Sequence, residues 1–410
     1  MKYNLIWNAF GNIIYLGCQW LMTVIVTRIA GYEDAGVLSL AMSISATFQT
    51  VALFGIRNYQ VSDVNKKFSD SDYVSFRIFT CLAALLLCMI FSVINRYSFT
   101  QLTAIALFMT YRLSESFADV LHGIAQNNDH LDIAGKAFAM KGAATIVMFL
   151  AGYYLLGSLN GGLLLLAAGS WAITIFYDMR LVKKLSDFRV YFSPSKLSGL
   201  AINTVVLCIY MFAASAIATI PKFVLEKECD SEVLGIYSSI FAPALLIQAA
   251  AGYIFNPFAG KFAEYNQKKY YKGFFWLAFK LCITVLSISA VIFLIAAVYG
   301  EFGLVLLFGP TIADYSYLLI PILICTFATA FFAFFCMLEI VIRDFVGLIS
   351  GCALGMTVTA VLSPILINKA GINGTSYALI AGTIAACICL LVFILIKIRS
   401  ASKLCKEELL

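Results

Sequence analysis

Four polar residues spaced along one apolar stretch are the part of this sequence best suited to chemistry. Arg112, Glu115, Asp119 and His122 stand at i, i+3, i+7 and i+10, which places them on one face of a helix. A guanidinium presents parallel N–H donors to an oxyanion, so Arg112 is a candidate contact for a phosphate or diphosphate. Glu115 and Asp119 are candidates for holding a coupling proton or cation, or for orienting Arg112. His122 joins them as a titratable neighbour. The plainer alternative is a local Arg112–Glu115 pair, with Asp119 and His122 merely solvated at a membrane surface.

That row matters because of the element that must carry it. Hydrophobic residues make up 62% of the 410-residue chain, charged residues 12%, and mean hydropathy is +0.93. Soluble domains carry about 25% charged residues, so water cannot surround this surface. A charge placed mid-bilayer is costly unless paired or wet. A membrane-spanning helix needs about 20 apolar residues, and twelve such runs are present: 7–26, 35–56, 78–94, 102–124, 137–156, 162–177, 200–220, 233–255, 273–298, 315–341, 345–366 and 375–396. The first run lacks a small-residue cleavage site and is followed at once by another span, so it is expected to remain as a helix rather than act as a cleaved signal. The expected fold class is therefore all-α, a polytopic membrane protein with two six-helix bundles around a central cavity.

The basic residues orient the spans. With a cytoplasmic N-terminus, 22 of the 28 Lys and Arg residues fall on the inner side, Arg57, Lys66, Arg77 and Lys141 among them, and five fall outside. This is the positive-inside pattern, with both termini cytoplasmic. Arg28 and Lys222 then mark the outer ends of helices 1 and 7, where each meets an anion on exit or snorkels to the headgroups. Arg57 closes helix 2 at the cytoplasmic mouth. Glu339 and Arg343, four apart, are expected to form a local ion pair. Gly347, Gly351 and Gly355 make a small-residue stripe suited to close helix packing.

Several classes of function are excluded or disfavoured. No GxxxxGK[ST] motif or large cytoplasmic insertion is present, so the chain carries no ATPase of its own. Outside loops are short and leave no room for an external catalytic domain. Most of the 12 cysteines sit singly in apolar runs, none forms a CxxC, and there are two histidines. No metal and no cofactor is expected, and no nucleic-acid partner.

The halves echo each other about 195 residues apart. Asn8 matches Asn203; Arg28 with Gly36 and Ser39 matches Lys222 with Gly235 and Ser238, across a longer external loop; and Lys67-Phe68-Ser69-Asp70 matches Lys261-Phe262-Ala263-Glu264. Six helices separate the copies, so they are parallel repeats, as in carriers that work by alternating access. The expected division is an N-terminal bundle, 1–190, and a C-terminal bundle, 191–410, joined by the basic stretch 180–196.

These residues resemble a known family. The stretch 28–41, with Arg28, Gly31, Gly36 and Ser39, is similar to the first external loop of Wzx-type polysaccharide flippases, members of the multidrug/oligosaccharidyl-lipid/polysaccharide exporter superfamily. So is 54–63, with Gly55, Arg57 and Asp63, to their exit from helix 2. The run 112–126, with Arg112, Glu115, Asp119, Gly123 and Gln126, continued by Asp132, Lys141 and Gly142, is the most specific, and 221–238 resembles their helix 7–8 corner. The resemblance implies a plasma-membrane carrier that moves undecaprenyl-diphosphate-linked oligosaccharide to the external leaflet, driven by a proton or sodium gradient. It also implies membrane lipids and glycan-assembly proteins, glycosyltransferases and a polymerase, as partners. The alternatives are a drug/cation antiporter of the same fold and, from another class, a membrane-embedded glycan polymerase or ligase.

Overall fold

The computed structural model describes residues 2–63 and 67–407, so Lys66 lies outside the described residues. The chain is all-α and crosses the membrane twelve times. Helix α1 (Lys2–Leu53) carries the first two passes, bent at Gly31, and a short α2 (Ile56–Ser62) follows. Then come α3 (Asp70–Ile94), α4 (Phe99–Asn127), α5 (Leu131–Leu156) and α6 (Leu159–Ile173). Helix α6 runs on through a π-helical stretch, Thr174–Met179, into α7 (Arg180–Val182). The second half holds α8 (Pro194–Glu228), α9 (Ser231–Phe255), a short α10 (Ala259–Gln267), α11 (Tyr271–Phe308), α12 (Leu319–Ile342), α13 (Phe345–Ala370) and α14 (Asn373–Glu407). Among the described residues nine helices are long and apolar enough to span alone. The total of twelve is reached because α1 contributes two passes, and because α4, diluted by its charges, and α9 add one each.

Two loops expected from the sequence are helix instead. Residues 27–34, expected as an external loop because they fall between the first two apolar runs, belong to α1; only Gly31 leaves the helical region, at φ 88°. An L-residue resists that φ, whereas glycine adopts it freely. Between α8 and α9 the expected longer loop shrinks to Cys229 and Asp230, because α8 continues through Pro221 to Glu228.

The chain divides into two compact units, residues 1–215 and 216–410, with the division inside α8. In the first unit Ile56, Val74, Phe76, Val120, Leu121, Ile124 and Val182 form a buried cluster that ties α2, α3, α4 and α7 together. In the second, Phe255, Phe262, Phe274, Phe334 and Ile394 do the same for α9, α10, α11, α12 and α14.

Close backbone approaches are built on glycine. A Cβ at Gly135 of α5 would land on the Trp7 carbonyl of α1, and one at Gly11 would land on the Gly135 carbonyl. The Gly135→Ala substitution is therefore expected to lower the stability of the purified protein by about 1–3 kcal/mol, the usual penalty of overpacking. An unchanged thermal unfolding midpoint would mean that α1 and α5 separate without cost. In the second unit the small-residue stripe packs as expected: Cβ atoms at Gly351 and Gly355 would come within 2.6 Å of Leu390 and 2.8 Å of Ala386 on α14. The expected Glu339–Arg343 pair does not form. Arg343 caps α12 in the left-handed region at φ 56° and is exposed, while both carboxylate oxygens of fully buried Glu339 lack hydrogen-bond partners among the described residues.

Candidate functional site

Helix α4 is held in the first unit by polar staples. The Trp171 indole N–H donates to the Thr110 carbonyl at 3.0 Å, Thr174 Oγ1 donates to the Ser114 carbonyl at 3.3 Å, and Ser114 and Ser170 share a hydroxyl hydrogen bond. These contacts fix the rotation of α4 against α6 and so decide where its charges point. The row 112–122 meets partners from three directions and forms three linked groups rather than one.

The first group surrounds Arg112. Its Nη1 donates to Glu115 Oε2 at 2.7 Å and reaches the Tyr15 hydroxyl at 3.5 Å. The guanidinium carbon lies 5.2 Å from the Phe108 ring centroid and 5.6 Å from that of Tyr111, an aromatic cradle that favours a cation. Tyr15 donates to Glu115 Oε1 and meets the Tyr111 hydroxyl at 2.9 Å, while Gln49 Nε2 approaches Glu115 Oε2 at 3.4 Å. Gln19 extends the network from Tyr111 to Thr145. The expected local pair is thus present, but set in a network with α1. Arg112 Nε is buried with no hydrogen-bond partner among the described residues.

The second group centres on Asp119, which binds two arginines: Arg57 Nη1 at 3.2 Å and Arg77 Nη2 at 2.8 Å. Arg77 is fully buried and also donates to the Ala52 carbonyl, which Thr80 caps at 2.8 Å. Arg57 is a quarter exposed, and its second Nη donates to Gln126 at 3.2 Å. It lines a cavity of about 360 Å³ with Leu53, Gly55, Ile56, Asn58, Asp119, Gln126 and Met211. Two features place Arg57 there. Phe54 and Gly55 turn the chain sharply in the left-handed region, at φ 49° and 66°. Then α2 lies so close to α4 that a side chain at Gly123 would collide with Gln60. Beyond α2, Asp63 accepts from the Lys67 and Phe68 backbone N–H groups and from the Tyr73 hydroxyl. Burial pushes its carboxyl up, but these hydrogen bonds and the Lys67 charge prevail and hold it below the usual range.

The third group joins His122, a candidate from the sequence, to Lys141 and to Asp178, which the row does not contain. His122 Nε2 lies 3.1 Å from Asp178 Oδ1, and Lys141 Nζ lies 3.8 Å from Asp178 Oδ2, all three groups at most 2% exposed. Asp178 sits in the π-helical stretch after α6 and Lys141 three turns into α5. Arg77 and Lys141 are among the basic residues that the sequence places on the inner side. Both are buried within helices, and without them the inner-side excess of basic residues remains large.

The two remaining sequence candidates lie elsewhere. Arg28 is exposed in α1, one turn before Gly31. Lys222, in α8 of the second unit, rests its Nζ 4.7 Å from the Phe241 ring centroid, and no carboxylate forms an ion pair with it among the described residues. The cues for the unforeseen residues were slight: single charges flanked by apolar residues, at positions where a loop or interface is the ordinary reading.

Taken together, the charged side chains joined to the α4 row are Arg57, Arg77, Arg112 and Lys141 against Glu115, Asp119 and Asp178. A further buried carboxylate, Asp72, bonds instead to Ser69 and Tyr191 at the start of α3. With His122 neutral the row and its partners have one cation in excess, a polarity suited to an anion. Among the described residues no group of His, Cys, Asp and Glu is arranged to hold a metal ion.

No protein-family model matches the chain. The capsular polysaccharide biosynthesis protein CapF of Staphylococcus aureus is 24% identical over 324 residues, spanning 78% of this chain and 80% of that protein. Among solved structures, an inward-facing multidrug resistance MATE family transporter of the MOP superfamily superposes with a TM-score of 0.73 at 12% identity, covering 98% of this chain and 99% of that one. The lipid II flippase MurJ in an inward closed conformation gives 0.71 at 12% identity, over 96% and 87% of the two chains. A Vibrio cholerae MATE transporter gives 0.63 at 11% identity, over 97% of each. The fold of this chain is the one these transporters share.

Proposed function

We propose that this chain, built on the fold common to MATE transporters and the lipid II flippase, translocates a diphosphate-linked oligosaccharide lipid across a bacterial plasma membrane for cell-surface polysaccharide assembly. The observation that carries the reading is the polarity of the α4 row and the residues paired with it. Buried and half-buried arginines outnumber their carboxylate partners, which is a host for an anion. The likeness to a capsule biosynthesis protein along most of the chain supports a glycan cargo. The proposed topology keeps both termini cytoplasmic, with bundles 1–190 and 191–410. No catalytic role is assigned to any residue.

In this reading a diphosphate arriving from the inner leaflet meets Arg57 first. Asp119 is shared by two arginines, so Arg57 can turn to the incoming anion while Arg77 keeps Asp119 neutralised. Arg112 then takes the diphosphate, satisfying an N–H group that is otherwise buried without a partner. The glycan stays with the protein's polar interior and the polyprenyl tail stays in lipid. Arg28 and Lys222 serve as cationic contacts on release, and Glu115, Asp119 and His122 orient the arginines or carry coupling charge. Glycan-assembly enzymes would supply the cargo and consume it.

The test is the sidedness of lipid-linked oligosaccharide in cells depleted of the protein. Accumulation in the cytoplasmic leaflet, reversed by re-expression, is expected; normal sidedness would retire the reading. A second reading, cationic drug antiport, is favoured by the fold it shares with multidrug transporters. It calls for an excess of carboxylates at the cargo site, whereas the α4 row and its partners have the opposite balance. Hypersensitivity of depleted cells to cationic dyes, with normal lipid sidedness, would favour it.

A further inference from the structure

In the path just described Asp178 and Lys141 have no role and His122 touches no arginine, yet these three are the most deeply buried linked set of charges in the first unit. Three facts define it. Asp178 has each carboxylate oxygen facing a different nitrogen, His122 Nε2 at 3.1 Å and Lys141 Nζ at 3.8 Å. The longer contact is not a hydrogen bond: Asp178 Oδ2 and Lys141 Nζ are both buried without hydrogen-bond partners among the described residues. Lys141 also feels a second carboxylate, Glu115, which now pairs with Arg112.

Position along the helices orders these groups. At 1.5 Å per residue, His122 lies about 7 Å from the Asn127 end of α4 and Glu115 about 18 Å from it. Asp178 is four residues from the end of α7, at the level of His122. Lys141 therefore stands between a shallow acid, Asp178, and a deep one, Glu115.

We infer that this group is a proton-binding site whose occupancy is linked to anion binding at Arg112, with Lys141 as the moving link. The inference rests on the flippase reading and adds the coupling step to it. In the present state Arg112 pairs with Glu115 and Lys141 faces Asp178, so the four charges sum to zero. An anion that draws Arg112 away leaves Glu115 buried without a counter-ion, which is strongly unfavourable. Lys141 cancels that charge by turning from Asp178 to Glu115. Asp178 is then the uncompensated acid, and a proton from the aqueous side, held between Asp178 and His122, restores neutrality. One proton enters for the one guanidinium drawn away from its carboxylate, and no other bond is made or broken. The ionisable groups facing this site are Tyr15 from α1, Tyr111, Arg112, Glu115 and His122 from α4, Lys141 from α5 and Asp178 from the π-helical stretch. Among the described residues Asp178 is the acid of this network that also contacts His122.

The test is calorimetry on the full chain in lipid nanodiscs. The probe is a polyprenyl-diphosphoryl N-acetylglucosamine, whose diphosphate is esterified at both ends and does not titrate near neutral pH. Titration in two buffers of different ionisation enthalpy gives the protons taken up per lipid bound. Wild type is expected to take up about one, so its Kd weakens about tenfold per pH unit over that range. Asp178→Asn is expected to bind the probe with the uptake lost and the pH dependence flattened, an effect that a packing role would not produce. Binding by wild type without proton uptake overturns the inference and leaves the flippase reading standing. Failure of wild type to bind the probe at all refutes the flippase reading, and the inference falls with it. The wild-type measurement is decisive even if Asp178→Asn does not fold.

Discussion

Replacing Arg112 with alanine is expected to reduce translocation of lipid-linked glycan by about 30-fold or more while the protein still inserts and accumulates. A charge-assisted bond to a diphosphate in a dry site is worth about 2–5 kcal/mol, and each 1.36 kcal/mol is a factor of about ten. The fold should tolerate the change better than the function does. Arg112 is partly exposed, and the carboxylate it leaves behind keeps Tyr15, Gln49 and the nearby charge of Lys141. Arg112→Lys separates charge from shape: lysine keeps the cation but loses the planar fork, so a partial defect is expected. The measurement is leaflet sidedness of the lipid, normalised to protein level. Unaffected export by Arg112→Ala would remove this residue from the cargo path.

The second large effect concerns folding. Arg77→Met removes the fully buried partner of Asp119 and the donor to the Ala52 carbonyl just before the turn into α2. Breaking a buried pair from one side costs about 3–5 kcal/mol, because the remaining charge is left uncompensated. Arg57 still reaches Asp119, so the loss should sit at the lower end of that range. The expected outcome is a sharply lower thermal midpoint in detergent and reduced accumulation in cells. Adding Asp119→Asn should recover part of the loss, since the orphaned charge is then gone. A double variant no more stable than Arg77→Met would mean that Arg77 acts through packing and the Ala52 contact alone.

Sequence and structure agree best where the signal is long and apolar. The twelve passes follow from runs of about 20 apolar residues, and α4 was recognisable as a span despite its charges. Where short polar segments set the reading, the agreement weakens. The gap between the first two apolar runs suggests a loop, yet one glycine at positive φ is enough to bend α1 there. The pairing of Glu339 with Arg343 assumed that α12 continues one more turn, whereas it ends at Ile342 and Arg343 takes a left-handed cap.

The site was legible in part for a similar reason. The i, i+3, i+7, i+10 row identified Arg112, Glu115, Asp119 and His122 because helical spacing is local. Their partners are brought in from α1, α2, α3, α5 and the end of α6, and tertiary packing of that kind leaves no periodic trace. Arg77 and Lys141 lie near span ends, where a basic residue ordinarily reports topology. Nothing in the residues 174–179 announces a π-helical turn.

That turn has an evolutionary consequence. A π turn is an α-helix with one residue inserted, and each residue advances a helix by about 100°. A single-codon deletion between Thr174 and Asp178 would leave an unbroken α-helix of the same composition, but would rotate everything on one side of it by that angle. Either the Ser170–Thr174 edge would lose α4, or Asp178 would swing away from His122 and Lys141. The placement of the acid beside His122 and Lys141 thus depends on chain length as well as on residue identity. Relatives that keep an acid here but lack the turn should be one residue shorter and should not bury it against α4 and α5.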